Sequence, residues 1–403
     1  MKLERIPDEF TKAASVLKDI QAHGFEAYFV GGSVRDALLR QPIHDVDIAT
    51  SAYPEEIKQI FPRTVDVGID HGTVLVLVGE EQYEITTFRT ESTYQDFRRP
   101  DTVTFVRSLR EDLKRRDFTI NALAMNVEGT IIDLFDGMND LEKRIIRAVG
   151  NPKERFHEDA LRMMRGLRFA SQLDFTIEPN TLAAIEEFHP LLGKISVERI
   201  AVEFIKLLLG KNRKNAFQPF IETECYLYCP ELNKYGEALF NFLDLPNKQI
   251  ETDSQAWALL INTLNLKGNE IRSFLKSWKQ SNQMIHEVQQ LIYGLNQRLL
   301  DDWQVMDLFN LGLNAALSVE KLLFYYGQNS KLEEVRERYL CLPIHDRKQL
   351  AITGNDLLTY FDKKPGKWLG EMIEAIEAAV VNGEIANNKE VLITFAKDKI
   401  DKE

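Results

Sequence analysis

Cysteine is scarce in this chain. Three occur in 403 residues, Cys225, Cys229 and Cys341. That is too few for a disulfide framework and points to a reducing cytoplasm. The Cys225/Cys229 spacing predicts two thiols on one helix face, but no nearby His or Cys completes a zinc set. Glycine (21) and proline (13) together fall below the usual ~12%, which favours long helices over many short strands. No run of ~18 apolar residues exists, so no membrane span is expected, and the start MKLERIPDEF carries no signal-peptide pattern. An excess of positive charge is also missing. Fifty Lys/Arg against 62 Asp/Glu leave a net charge of −12. A uniformly basic nucleic-acid coat is therefore excluded, and any nucleic acid must be met by a local basic patch. What is present, 44% apolar and 28% charged residues, describes a soluble globular protein. At ~150 residues per domain it should hold two to four domains.

The first 145 or so residues alternate short apolar runs with helical patterns. The spacing predicts a helix over 7–23, a strand over 25–30 and then a turn at Gly31-Gly32-Ser33 leading into a short helix. Residues 46–49 are strand-like and 54–61 helical. Residues 73–78 with 82–88, and 123–127 with 130–134, read as two hairpins. Ser108 with Glu111 three residues on reads as a capping box for a helix over 109–115. After Gly150-Asn151-Pro152 almost everything has helical spacing, broken near 210–212, 230, 246, 268 and 354. The expected organisation is one α/β domain followed by a long helical remainder.

Two carboxylates open the chemistry. In His44-Asp45-Val46-Asp47-Ile48, a strand would aim Asp45 and Asp47 to one side, roughly 6.6 Å apart along the backbone. Val46 and Ile48 would pack behind them. Alone, such a pair reads as a solvated strand end. Adjacent carboxylates repel unless a cation joins them, and hard oxygen ligands suit Mg²⁺. Just upstream, Gly31-Gly32-Ser33-Val34-Arg35-Asp36 joins a strand to a helix. Glycines there let backbone N–H groups approach a phosphate. Ser33 could cap the helix or bind a phosphate oxygen, and Arg35 could reach the same anion. A phosphate cradle followed by a D-x-D strand points to metal-assisted nucleotidyl transfer. Glu84, on a neighbouring candidate strand, is a candidate third carboxylate. The basic patch lies at 98–168, where fifteen Lys/Arg face twelve Asp/Glu.

Within that patch lie Arg115-Arg116-Asp117-Phe118-Thr119-Ile120-Asn121-Ala122 and Glu158-Asp159-Ala160-Leu161-Arg162-Met163-Met164-Arg165-Gly166-Leu167-Arg168-Phe169-Ala170. With the two upstream motifs, these segments closely resemble the bacterial class II tRNA nucleotidyltransferases, the CCA-adding enzymes, of the DNA polymerase beta type. Four ordered motifs across 27–173 carry the resemblance. Beyond about residue 210 only helical character and length agree. The resemblance implies the α+β fold class, with a mixed-sheet catalytic head (1–145), a helical neck that recognises the base (146–210), a helical body (211–300) and a helical, tRNA-binding tail (301–403). It implies that Asp45 and Asp47 hold catalytic Mg²⁺. Gly32, Arg35 and Arg116 would bind the nucleotide, with Asp117 a ribose candidate. Asp159 and Arg162 would read the base, and Arg165 and Arg168 would bind and orient the nucleotide. It further implies tRNA, CTP and ATP as partners and a homodimer.

Steps of three drift by about 60° around a helix, so 159 and 168 cannot share one face. Either neighbouring segments wrap this helix or one arginine is mainly structural. Asp offers an acceptor and Arg forked donors. Cytosine and adenine each present an amino group beside an unprotonated ring nitrogen, whereas guanine and uracil present the reverse polarity. One site could thus take C and A without a template. The polar stretch 90–104, with Asp96, Arg98, Arg99 and Pro100, reads as a lid. In the family such a loop serves addition of the final A. The nearest rival, a bacterial poly(A) polymerase, shares the head motifs but tends to carry a longer basic C-terminal region. A catalytically dead RNA-binding protein is opposed by the intact Asp45 and Asp47. A metal-dependent phosphohydrolase is opposed by the few, unclustered histidines.

Overall fold

The computed structural model describes residues 1–91 and 103–401. Asp96, Arg98, Arg99 and Pro100 of the expected lid lie outside them. The chain divides into two compact units. One comprises Met1–Leu243, Asn247–Ile250 and Ser277–Lys279; the other comprises Asp244–Pro246, Glu251–Lys276 and Gln280–Glu403.

The first unit opens with α1 (Asp8–Ala22), whose Phe10, Ala13, Val16, Leu17 and Ile20 recur at helical spacing and are buried. Next come β1 (Ala27–Val30), α2 (Gly32–Leu38), β2 (Ile48–Thr50), α3 (Pro54–Ile60), β3 (Thr64–Gly68), β4 (Thr73–Val78) and β5 (Glu81–Thr87). A ribbon of β6 (Arg89–Glu91) and β7 (Val103–Phe105) follows, then α4 (Leu109–Lys114), β8 (Leu123–Met125) and β9 (Ile131–Asp133). Seven strands form one sheet in the order β3-β4-β5-β2-β1-β8-β9. Only β2 and β5 run parallel within it, with Ile48 opposite Ile85. The sheet is therefore mixed, as expected, and both hairpins form. Residues 90 and 104, the expected lid's ends, pair across the ribbon.

Helices then dominate. After α5 (Gly137–Lys143) and β10 (Ile145–Ile146) come α6 (Pro152–Glu158), α7 (Leu161–Leu173), β11 (Thr176–Ile177), α8 (Pro179–Phe188), α9 (Val197–Leu208), α10 (Arg213–Glu222) and α11 (Gly236–Asp244). The parallel pair β10–β11 sets Ile145 beside Thr176. The helices α7, α9 and α10 pack on one another. The remaining helices are α12 (Asp253–Thr263), α13 (Asn269–Ser277), α14 (Asn282–Leu300), α15 (Val305–Leu322), α16 (Leu332–Leu340), α17 (Gly354–Phe361), α18 (Lys367–Val381) and α19 (Lys389–Ile400). In the second unit Ile344, Leu357, Ile376, Val380 and Leu392 form part of one core. The Glu320 carboxylate is fully buried there, accepting from Trp303 Nε1 (2.8 Å) and Arg298 Nε (2.9 Å).

Four local expectations need correction. Strand β2 begins only at Ile48, so Asp45 and Asp47 lie on the segment entering it. Beyond Val30 the partner strand β1 turns away at Gly31, so residues 44–46 have no β1 backbone to pair with. Asp47 O still accepts from Val30 N at 3.1 Å. Ser33 neither caps α2 nor stays free. Its buried hydroxyl donates back to Val30 O at 3.0 Å. Ser108 occupies the N-cap of α4 without a side-chain cap bond, so the capping box does not form. Cys225 opens a 3₁₀ turn over Cys225–Tyr228 rather than a regular helix face. Cys225 and Cys229 are both buried, and burial pushes the Cys225 thiol up to about 12.

Candidate active site

The turn after β1 is set by Gly31, whose φ of 73° and ψ of −135° suit glycine. A Cβ there would stand 2.8 Å from Arg116 Nη1 and 3.7 Å from Asp47 Oδ2. The turn, the second carboxylate and the R-R-D motif therefore meet at one point. Around it opens a cavity of about 810 Å³, large enough for a nucleoside triphosphate. Gly32, Arg35, Asp47, Arg116, Asp117, Asp159, Arg162, Arg165 and Arg168 all line it. So do His71, Arg89, Arg115, Asn121, Phe169, Arg199 and Lys206. Nine cationic side chains face three carboxylates there, a local basic site inside an acidic chain.

Asp45 and Glu84 face a neighbouring cavity, which Asp47 shares. Glu84 comes from β5, which lies beside β2. Asp47 is open to solvent yet closely surrounded at this junction. Partial burial pushes its carboxyl above the usual range; Arg116 opposes the rise, and Glu84 and Asp45 add to it. Among the described residues, no side-chain donor hydrogen-bonds Asp45 or Asp47, and no set of three His, Cys, Asp or Glu closes around a metal position. Two carboxylates that repel, with no protein donor to quiet them, are a donor set that a hard cation would satisfy.

Bonds between distant segments hold the arginines. Arg35 Nη1 donates to Asn121 Oδ1 at 2.6 Å, and Asn121 Nδ2 donates to Asp117 Oδ1 at 3.0 Å. Asp117 Oδ1 also accepts from Phe118 N, and Oδ2 accepts from Arg165 Nε, both at 2.8 Å. Despite nearly complete burial, Arg165 and Asn121 hold this carboxyl well below the usual range. Asp117 lines the cavity, but its oxygens serve mainly to fix Arg165 and the motif's own backbone. Asp112, 1% exposed, anchors Arg115 (2.8 Å) and Arg116 (3.3 Å). Arg168 Nε lies 3.1 Å from Glu203 of α9. Burial, then Arg165 and Arg35, draw Arg168 down to about 10, still charged at neutral pH.

The helix expected to carry Asp159 and Arg162 together is interrupted. Asp159 is the extended C-cap of α6, and α7 starts at Leu161. The facing problem between 159 and 168 is thereby resolved, because Asp159 lies off that helix. Its Oδ1 accepts from Leu161 N at 3.0 Å and its Oδ2 from Arg199 Nη2 at 2.9 Å. Arg162 is bound elsewhere: to Glu158 Oε2 (2.7 Å), Arg155 O (3.3 Å) and Arg115 O (2.8 Å). Those bonds leave Arg162 with N–H groups, and Asp159 with lone pairs, to offer a ligand. Asn121, Asp112, Arg199 and Glu203 had no assigned role in the sequence reading. Arg199 and Glu203 lie 40 and 35 residues beyond the motif residues they meet, so no local pattern marks them.

Comparison with known proteins bears on the whole chain. Residues 27–147 match the model described as "Poly A polymerase head domain". Residues 174–235 match "Probable RNA and SrmB- binding site of polymerase A". Residues 248–396 match "tRNA nucleotidyltransferase domain 2". A CCA-adding enzyme of Enterococcus faecalis is 68% identical over 98% of both chains. The chain belongs to the CCA-adding enzymes. A CCA-adding enzyme from Ligilactobacillus salivarius is 53% identical over 98% of both chains. The crystal structure of the Bacillus stearothermophilus CCA-adding enzyme in complex with CTP superposes with a TM-score of 0.92 at 42% identity, covering 98% of this chain and 99% of that one. The mixed-sheet head and helical remainder are thus the fold of a CCA-adding enzyme, and its chemistry is nucleotidyl transfer. The name of the matched head model would also suit a poly(A) polymerase, but the full-length relatives carry the family assignment. Among the described residues, no helix of this CCA-adding enzyme is long and apolar enough to cross a membrane.

Proposed function

We propose that this basic cavity binds CTP and ATP in turn and reads both with one set of side chains. The enzyme adds C, C and A to the 3′ end of tRNA: the terminal hydroxyl attacks the α-phosphorus and pyrophosphate leaves. The observation that carries the site assignment is the convergence of Gly32, Arg35, Arg116, Asp159, Arg162, Arg165 and Arg168 on one cavity that Asp47 also lines. Asp45 and Asp47 would hold Mg²⁺, with Glu84 a candidate outer ligand; the cation would lower the pKa of the attacking hydroxyl and offset charge on the leaving group. Gly32 leaves room for the triphosphate beside the turn. Arg35, Arg116, Arg165 and Arg168 supply donors to the phosphates, preorganised by Asn121, Asp112, Asp117 and Glu203. Asp117 fixes Arg165 and, lining the cavity, remains a candidate for the ribose. Asp159 accepts from the amino group of C or A, while Arg162 donates to the ring nitrogen.

The working division into head (1–145), neck (146–210), body (211–300) and tail (301–403) assigns tRNA contacts to the helical regions. A homodimer and a cytoplasmic location complete the proposal, resting on family resemblance and on cysteine usage.

The test is the ratio of CTP to UTP incorporation, by kcat/KM, on a tRNA awaiting its first C. Asp159→Ala removes a charged acceptor and should cost on the order of 1.5–3 kcal/mol with CTP. The penalty against UTP should largely vanish. An unchanged ratio would move base selection away from Asp159.

A further inference from the structure

Phe169 lies on α7, 6% exposed, and lines the nucleotide cavity. Three guanidinium groups surround its ring. The central carbon of Arg168 is 4.1 Å from the ring centroid, that of Arg35 is 5.1 Å and that of Arg165 is 5.5 Å. All fall within the ~6 Å over which a cation is drawn to an aromatic face. Arg35 comes from α2, whereas Arg165 and Arg168 come from α7 itself. Phe118 of the R-R-D-F segment meets the same ring edge-on, with centroids 5.9 Å apart, and fixes its plane.

Three like charges so close repel one another, and each has a carboxylate beside it. Asp117 takes Arg165, Glu203 faces Arg168, and Arg35 has Asp36 at 2.8 Å. A further carboxylate would offset the repulsion but would also repel a triphosphate and compete for the guanidinium N–H groups. An aromatic face attracts the cations without accepting their in-plane N–H bonds.

We propose that Phe169 is a positioning residue for the triphosphate. Its ring gathers Arg35, Arg165 and Arg168 by cation–π attraction and keeps their N–H edges available to phosphate oxygens. The inference rests on the reading that those arginines bind the nucleotide's phosphates. It adds that the quadrupole of the ring, and not only its bulk, sets their placement. Because phosphates are common to both substrates, CTP and ATP are affected alike and base selection is not.

The decisive experiment changes the electrons of the ring while nearly keeping its shape. Phe169 is replaced, in the full-length enzyme, by phenylalanines with one, two and three fluorines, and KM is measured for CTP and for ATP on the matching tRNA substrates. KM should climb stepwise with fluorination for both nucleotides, reaching about tenfold at three fluorines. The CTP:UTP ratio and Tm should stay close to wild type. Phe169→Leu should show a similar rise, and Phe169→Tyr should restore most of the affinity. A flat fluorination series alongside a large defect in Phe169→Leu would mean that the ring acts by packing alone, and would overturn the inference. Arg35→Ala and Arg168→Ala serve as the parallel arm. If neither raises KM for CTP, the underlying phosphate assignment fails instead, whatever the fluorinated series does.

Discussion

Two adjacent glycines should respond to alanine in opposite ways. Gly31 has φ 73° and ψ −135°, a combination that costs a side-chain-bearing residue about 1–3 kcal/mol. Its new Cβ would also press on Arg116 Nη1 at 2.8 Å. That arginine is held by long bonds, 3.3 Å to Asp112 and 3.4 Å to Asn121 O, so it can yield. The steric clash therefore adds little to the stability loss but displaces a cation assigned to the nucleotide. At about 2–4 °C per kcal/mol for a unit of this size, Gly31→Ala should lower Tm by roughly 2–12 °C. Loss of a charge-assisted contact worth about 1.5–3 kcal/mol should cut kcat/KM for CTP by about ten- to a hundredfold. Gly32 differs. It is the first residue of α2, and its added Cβ would meet only Arg35 Nη2, at an ordinary 3.6 Å. Alanine is favoured over glycine in a helix by up to ~1 kcal/mol, so Gly32→Ala should keep or raise Tm. Its methyl group would nonetheless occupy space assigned to the triphosphate, and kcat/KM should fall. Calorimetry, with single-nucleotide incorporation on a tRNA lacking CCA, reads both quantities. Unchanged Tm in Gly31→Ala would refute the backbone argument. Full activity in Gly32→Ala would remove the phosphate from this turn.

Four further outcomes follow from charge and burial. Asp47 has its pKa raised by partial burial, so the folded protein binds more protons there than the unfolded chain, and its contribution to stability falls as pH rises through this range. Asp47→Asn should thus raise the Tm of metal-free protein at neutral pH while abolishing transfer; a lower Tm would contradict the assignment. For the same reason the Mg²⁺ needed for half-maximal activity should rise on mild acidification, as protons compete at Asp47, and a pH-independent requirement would count against this ligand. Glu320→Ala leaves the buried Trp303 N–H without its acceptor and the partly buried Arg298 guanidinium with only Asp302, at 3.7 Å, and should cost about 3 kcal/mol, read as a loss in chemical denaturation of the second unit. Of the three thiols, only the exposed Cys341 should react quickly with a thiol reagent in native protein, while the buried Cys225 and Cys229 wait for unfolding.

The chemistry was legible where it is written in consecutive residues. The G-G turn, the D-x-D pair and the arginines of α7 are local patterns of residue type and spacing, readable before any tertiary contact forms. The change from mixed sheet to helices near residue 150 was legible for the same reason, since apolar period reports which face each element must bury. Tertiary structure decided what lies between those patterns. Asp159 leaves the helix because its carboxylate accepts from Leu161 N and is drawn to Arg199, 40 residues on. Ser33 bonds back to β1, and Asp117 is taken up by Arg165 from α7. Asn121 meets Arg35 only when the packed head brings α2 and the R-R-D segment together, whereas Asp112 pairs locally with Arg115 and Arg116. A sequence specifies which groups are adjacent along the backbone. Which donor satisfies a buried carboxylate depends on the segments that burial brings beside it, because an unpaired charge there is costly, and only the packed fold provides those neighbours.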